Sequence, residues 1–160
     1  MCPEGGYAVL YAASAPLLRQ RYAVQAGDTI ANIRLADDRM LYDRITNHLL
    51  LAVISTFCDE CLAALESLEQ FAHRYPNANL VILAVTDEPG FDILQTAFDG
   101  YASVYRLPEP VLVEELHIRG YPWAYGINAR GQIVTSDHCG QLKWIERLME
   151  PFDECLGVLQ

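Results

Sequence analysis

Two uninterrupted apolar runs organise the chain. Residues 49–56 read LLLAVIST and residues 80–86 read LVILAVT. Both have strand length, and an unbroken run fits a strand covered on both faces, as in the middle of a mainly parallel sheet. Between them the period changes. Leu62, Leu65, Leu68 and Phe71 recur at three- and four-residue steps, which predicts a helix that stops before Tyr75-Pro76. Residues 91–98 predict a short helix ended by Gly100, and residues 109–116 another. Residues 123–127 and 132–135, joined by the Asn128-Ala129-Arg130-Gly131 turn, predict an antiparallel hairpin, and residues 141–149 a last helix limited by Pro151. Upstream, residues 31–35 and 40–43 predict a further hairpin across Asp37-Asp38. Strand, helix and strand in this order imply a right-handed parallel crossover with helices on both faces of one sheet. The expected fold is α/β, a central mixed sheet with an N-terminal hairpin extension. Residues 1–26 would lead into the domain or pack on it, residues 27–150 would form it, and residues 151–160 would be a tail.

Charge narrows the partners. The 160 residues carry 21 acidic and 11 basic side chains, a net charge of −10. Such a surface repels a polyphosphate backbone and an anionic membrane face, so nucleic acid is an unfavourable partner. No apolar run reaches the ~18 residues of a membrane span. The longest such stretch, residues 6–18, follows Glu4 and precedes Arg19 and Arg21, so it lacks the basic leader of a secretory signal. Taken as written, the chain is expected to be cytoplasmic. The alternative is an extracytoplasmic domain whose N-terminal anchor has been removed.

The cysteines bring chemistry. There are five: Cys2, Cys58, Cys61, Cys139 and Cys155. An odd count spread over this length argues against a disulfide framework. Cys58 and Cys61, however, are spaced C-x-x-C at the junction of the first apolar run and the helix. One helical turn brings two such sulfurs within disulfide reach. It leaves the first at the helix N-terminus, where unpaired N–H groups and the helix dipole favour a thiolate. Cys58 is then the nucleophile of thiol–disulfide exchange and Cys61 the more buried resolving thiol. Two unrelated buried cysteines, or a zinc site completed by His138 and Cys139, are the plainer alternatives. Asp59 and Glu60, between the cysteines, suit a first helical turn but oppose the Cys58 thiolate. Destabilising the thiolate favours the disulfide, so the couple is expected to be reducing.

Gly120-Tyr121-Pro122 stands before the later hairpin. With the apolar strand, the C-x-x-C at a helix start and the final helix, it makes residues 27–150 resemble the thioredoxin superfamily. The leading hairpin and the extra helix resemble its TlpA/ResA branch of thiol–disulfide oxidoreductases. That resemblance implies a cis Pro122 facing the dithiol, and a Tyr121 backbone that pairs with an extended substrate peptide beside Phe57. The expected partners are a protein disulfide and a dithiol or disulfide electron partner, with no cofactor and no metal. The chain departs from the family pattern at three places. Phe57 replaces the usual Trp, Asp59-Glu60 replaces Gly-Pro, and Ala52 stands where thioredoxins carry a buried acid. ResA-like proteins place an acid after the next strand, which Asp87 or Glu88 would supply if it is not simply a turn acid. The loop 137–140 aligns with a superfamily loop beside the dithiol. His138 could therefore tune the pair, and Cys139 is either a third redox thiol or a small core residue.

Two other functions share this frame. A peroxiredoxin-type thiol peroxidase would need Pro and Thr where Leu51 and Ser55 stand, and only Ser55 is acceptable. A copper chaperone would need His138 or His117 to join the two thiolates around Cu(I).

Overall fold

The computed structural model describes residues 26–36 and 38–158. Five strands form one sheet: β1 (His48–Ser55), β2 (Leu80–Val85), β3 (Ala102–Arg106), β4 (Trp123–Asn128) and β5 (Ile133–Asp137). Their order is β3-β2-β1-β4-β5. β1, β2 and β3 are parallel, while β4 runs antiparallel to β1 and β5 antiparallel to β4. The mixed sheet predicted from sequence is present. β3 was not predicted: its pattern, ASVYR, is half exposed at the sheet edge and lacks the unbroken apolar signal of β1 and β2.

β1 is central, and all eight of its residues are buried. Successive side chains point to opposite faces. Leu50, Ala52 and Ile54 join a cluster with Cys61, Ala64, Leu68 and Phe71 of helix α1 (Asp59–Arg74). Leu49, Leu51 and Val53 join a second cluster with Ile30, Ile33, Leu41, Leu112 and Leu116. Helices α2 (Glu88–Ala97) and α4 (Leu142–Met149) cover the first face, and α3 (Glu109–Glu115) the second. α1 and α2 share a face because both crossovers step the sheet in the same direction, β1 to β2 to β3.

The buried stripe of α1 is Cys61, Ala64, Leu68, Phe71 and Ala72, and Leu62 is turned to solvent instead. α1 ends where Tyr75, before Pro76, leaves the helical region and its N–H bonds Phe71 O. α2 begins three residues earlier than the apolar pattern suggests, because the Asp87 carboxylate caps it by accepting from Gly90 N–H at 2.8 Å.

The leading hairpin is reduced to one antiparallel bridge, Arg34 with Met40, and Leu41–Arg44 forms a 3-10 turn. The chain before it lies along the start of β5, with Thr29 bridged to Gln132. Residues 1–25, most of the predicted N-terminal extension, lie outside the described residues. Beyond α4 the chain continues through a 3-10 turn (Glu150–Phe152) and α5 (Asp153–Leu156), and both Phe152 and Leu156 enter the α1-side core.

Candidate active site

β1, the central strand, delivers the C-x-x-C at its C-terminal end. Cys58 is the N-cap of α1, in extended backbone conformation and half-buried. Its thiol donates to the carbonyl oxygen of Tyr121 at 3.7 Å. The Tyr121–Pro122 peptide is cis, as the resemblance implies. Cys61, one turn on, is 1% exposed and its sulfur accepts from Ser55 N–H at 3.4 Å. Burial first, then hydrogen bonding with Cys58, pushes the Cys61 thiol up to about 12, against the opposing pull of the Ser55 N–H. The two cysteines are therefore chemically unequal: one at the surface beside a peptide carbonyl, one held protonated underneath.

Around Cys58 the surface is apolar and acidic. Phe57 is 71% exposed and Leu62 66% exposed. Asp59 and Glu60 occupy the first turn of α1, both exposed. Tyr121 packs against both core clusters, and its hydroxyl donates to Glu109 Oε1 of α3 at 3.1 Å. Burial, the Glu109 bond and nearby Cys61 push that hydroxyl up to about 12. Glu109 was not singled out from sequence, since only the fold brings α3 to the proline loop. The same is true of Thr56, whose hydroxyl bonds that of Thr86 at 2.7 Å across the ends of β1 and β2.

The remaining predicted residues divide. Ala52 lies in the cluster with Cys61, so no carboxylate replaces the family's buried acid there. Asp87 caps α2 and Glu88 occupies its first turn, exposed. His138 reaches the C-x-x-C insert, with Nε2 3.5 Å from Glu60 Oε2. Cys139 is 0% exposed in the same cluster as Cys61, and burial, then Cys61 itself, pushes its thiol up to about 12. A thiol held that high contributes little thiolate. Cys155 is disulfide-bonded, although the odd cysteine count argued against a disulfide framework, while Cys2 lies outside the described residues. Among the described residues no group of three His, Cys, Asp or Glu side chains is arranged to hold a metal ion.

Sheet order, the dithiol at the head of α1 and the cis-proline loop opposite define a thioredoxin-like domain. Solved structures bear this out. The chain is similar to a DsbF homologue from Corynebacterium diphtheriae (TM-score 0.61, 14% identity, covering 80% of this chain and 90% of that one). It is also similar to a putative thiol:disulfide interchange protein DsbE from Chlorobium tepidum (TM-score 0.59, 15% identity, 81% and 96% covered). A third is the exposed lipoprotein thioredoxin Etrx1 of Streptococcus pneumoniae (TM-score 0.52, 21% identity, 68% and 89% covered). At these identities the likeness is one of fold. No protein-family model and no curated protein matches the chain.

Proposed function

We propose that the chain is a thiol–disulfide oxidoreductase that reduces disulfides of a protein partner through Cys58 and Cys61. The observation that carries this reading is the asymmetry of the pair. The half-buried Cys58 caps α1 against the Tyr121 carbonyl, and the buried Cys61 lies one turn behind it. The names of the solved neighbours, thiol:disulfide interchange proteins among them, point the same way.

The Cys58 thiolate attacks one sulfur of the substrate disulfide. An S–S bond forms to Cys58, and the other substrate sulfur leaves as a thiolate. Cys61 then loses its proton to water and attacks the Cys58 sulfur, and the second substrate sulfur leaves. The substrate has gained two electrons, and the pair has become a disulfide that an external dithiol must reduce. An extended substrate segment running past the Tyr121 backbone, with Phe57 and Leu62 as apolar ground, fits the exposed surface.

The acidic insert supports the reducing direction. Burial first, and Glu60 to the smallest extent, oppose ionisation of Cys61, and destabilised thiolates favour the disulfide. Equilibration with glutathione buffers should give a potential more negative than about −200 mV, nearer to thioredoxin than to the strong oxidant DsbA. A value near −120 mV would sink the reductant reading.

An extracytoplasmic site of action is also proposed. A disulfide at Cys155, outside the redox pair, suits an oxidising compartment, and one structural neighbour is described as an exposed lipoprotein. Among the described residues no helix is long and apolar enough to cross a membrane.

A further inference from the structure

The loop between β5 and α4 touches the C-x-x-C insert through one side chain, and that side chain is held from several directions. His138 Nε2 lies 3.5 Å from Glu60 Oε2. On the other side of the ring, Nδ1 accepts from Gly140 N–H at 3.1 Å. An Nδ1 that accepts leaves the neutral ring's proton on Nε2, facing the carboxylate. The ring meets Trp144 edge-on, with centroids 5.4 Å apart and planes at 80°. The loop itself is tied to α1 a second time, where the Ser67 hydroxyl donates to Gly140 O at 3.3 Å. Asp137, the other acid beside His138, accepts from the His138 main-chain N–H at 2.7 Å.

Glu60 is the residue this ring can influence. Its carboxylate sits in the first turn of α1, where the helix end favours a carboxylate and a thiolate alike. The two negative groups compete for one positive helix end. Burial does most to hold the Cys61 proton, and Glu60 adds the smallest push in the same direction.

We propose that His138 is a positioning residue for the dithiol: its Nε2, 3.5 Å from Glu60 Oε2, draws that carboxylate toward the β5–α4 loop and leaves Cys58 less opposed than the Asp-Glu insert alone would make it. The proposal rests on the oxidoreductase reading for its purpose, and it assigns the mixed character of the site to one contact. The insert makes the couple reducing, and His138 keeps Cys58 reactive.

The test is the rate at which iodoacetamide alkylates Cys58 in the reduced full chain at pH 7, followed by mass spectrometry of the Cys58 peptide. Cys61 and Cys139 are buried and do not compete. His138→Ala should slow the reaction by about twofold, the modest effect expected of an exposed carboxylate released toward Cys58 in a water-like dielectric. Glu60→Gln should speed it by a similar factor. In the Glu60→Gln background, His138→Ala should change nothing. His138→Gln, which presents an amide N–H close to the place of Nε2, should restore most of the wild-type rate and guards against misfolding of the alanine variant. Slowing by His138→Ala that persists without Glu60 would overturn the proposal, as would no change, or acceleration, with Glu60 present. Alkylation needs no disulfide partner. Failure to reduce protein disulfides with this pattern intact would therefore count against the oxidoreductase reading and not against the role of His138.

Discussion

Cys58 and Cys61 are three residues apart, and the fold treats them oppositely. Capping the helix leaves Cys58 at the surface, while the next turn carries Cys61 beneath the end of β1, where burial holds its proton. The residues beside Cys58 set what it can meet. Phe57 exposes a large apolar ring beside Cys58. Phe57→Ala should lower kcat/KM for a protein disulfide by about 1 kcal/mol, roughly fivefold, and leave the rate with a small aromatic disulfide nearly unchanged. Equal losses on both substrates would show that Phe57 supports the dithiol and not the partner. The C-x-x-C at a helix start was legible because it lies in a local pattern, and the cis Pro122 was implied by the family resemblance. Glu109 and the Glu60–His138 contact were not, because no local pattern joins positions so far apart in the chain.

At the scale of elements, β1 couples the dithiol end of the sheet to its far end. That far end is closed by His48, which is buried at the start of the strand. Its Nε2 accepts from Asn79 N–H at 2.9 Å and its Nδ1 meets Asn47 Oδ1 at 2.6 Å. Burial holds this imidazole below its ordinary value of 6.5. The neutral form belongs to the fold, whereas the unfolded chain takes up a proton near 6.5. Stability from this site is therefore complete above the unfolded value and is lost as pH falls toward the folded one. Urea unfolding midpoints should drop more between pH 7.5 and 5.5 for the wild type than for His48→Gln, and equal drops would contradict this assignment. The helices and inner strands were legible in sequence because burial on one or two faces writes a period into the chain. β3 was not, since an edge strand needs an apolar residue only where something covers it. The start of α2 was obscured because Asp87, a plausible redox acid in sequence, is a helix cap in structure.

For the whole molecule, two apolar layers clamp the sheet and leave the dithiol at the C-terminal end of β1, where it meets the proline loop. The net charge of −10 favours a partner that is not itself strongly acidic. Cysteine connectivity is the feature sequence could least supply, since count and spacing leave pairing open. Among the described residues Cys58, Cys61 and Cys139 are free, and Cys155 is not. The proposed chemistry requires Cys58 to be the thiol that attacks and Cys61 the one that resolves. The most direct measurement is intact-mass analysis of the Cys61→Ser chain after incubation with a disulfide-bonded protein such as insulin. The predicted result is a stable one-to-one mixed disulfide through Cys58, absent when Cys58 is also replaced by Ser. An adduct carried by Cys139, or none at any cysteine, would contradict it.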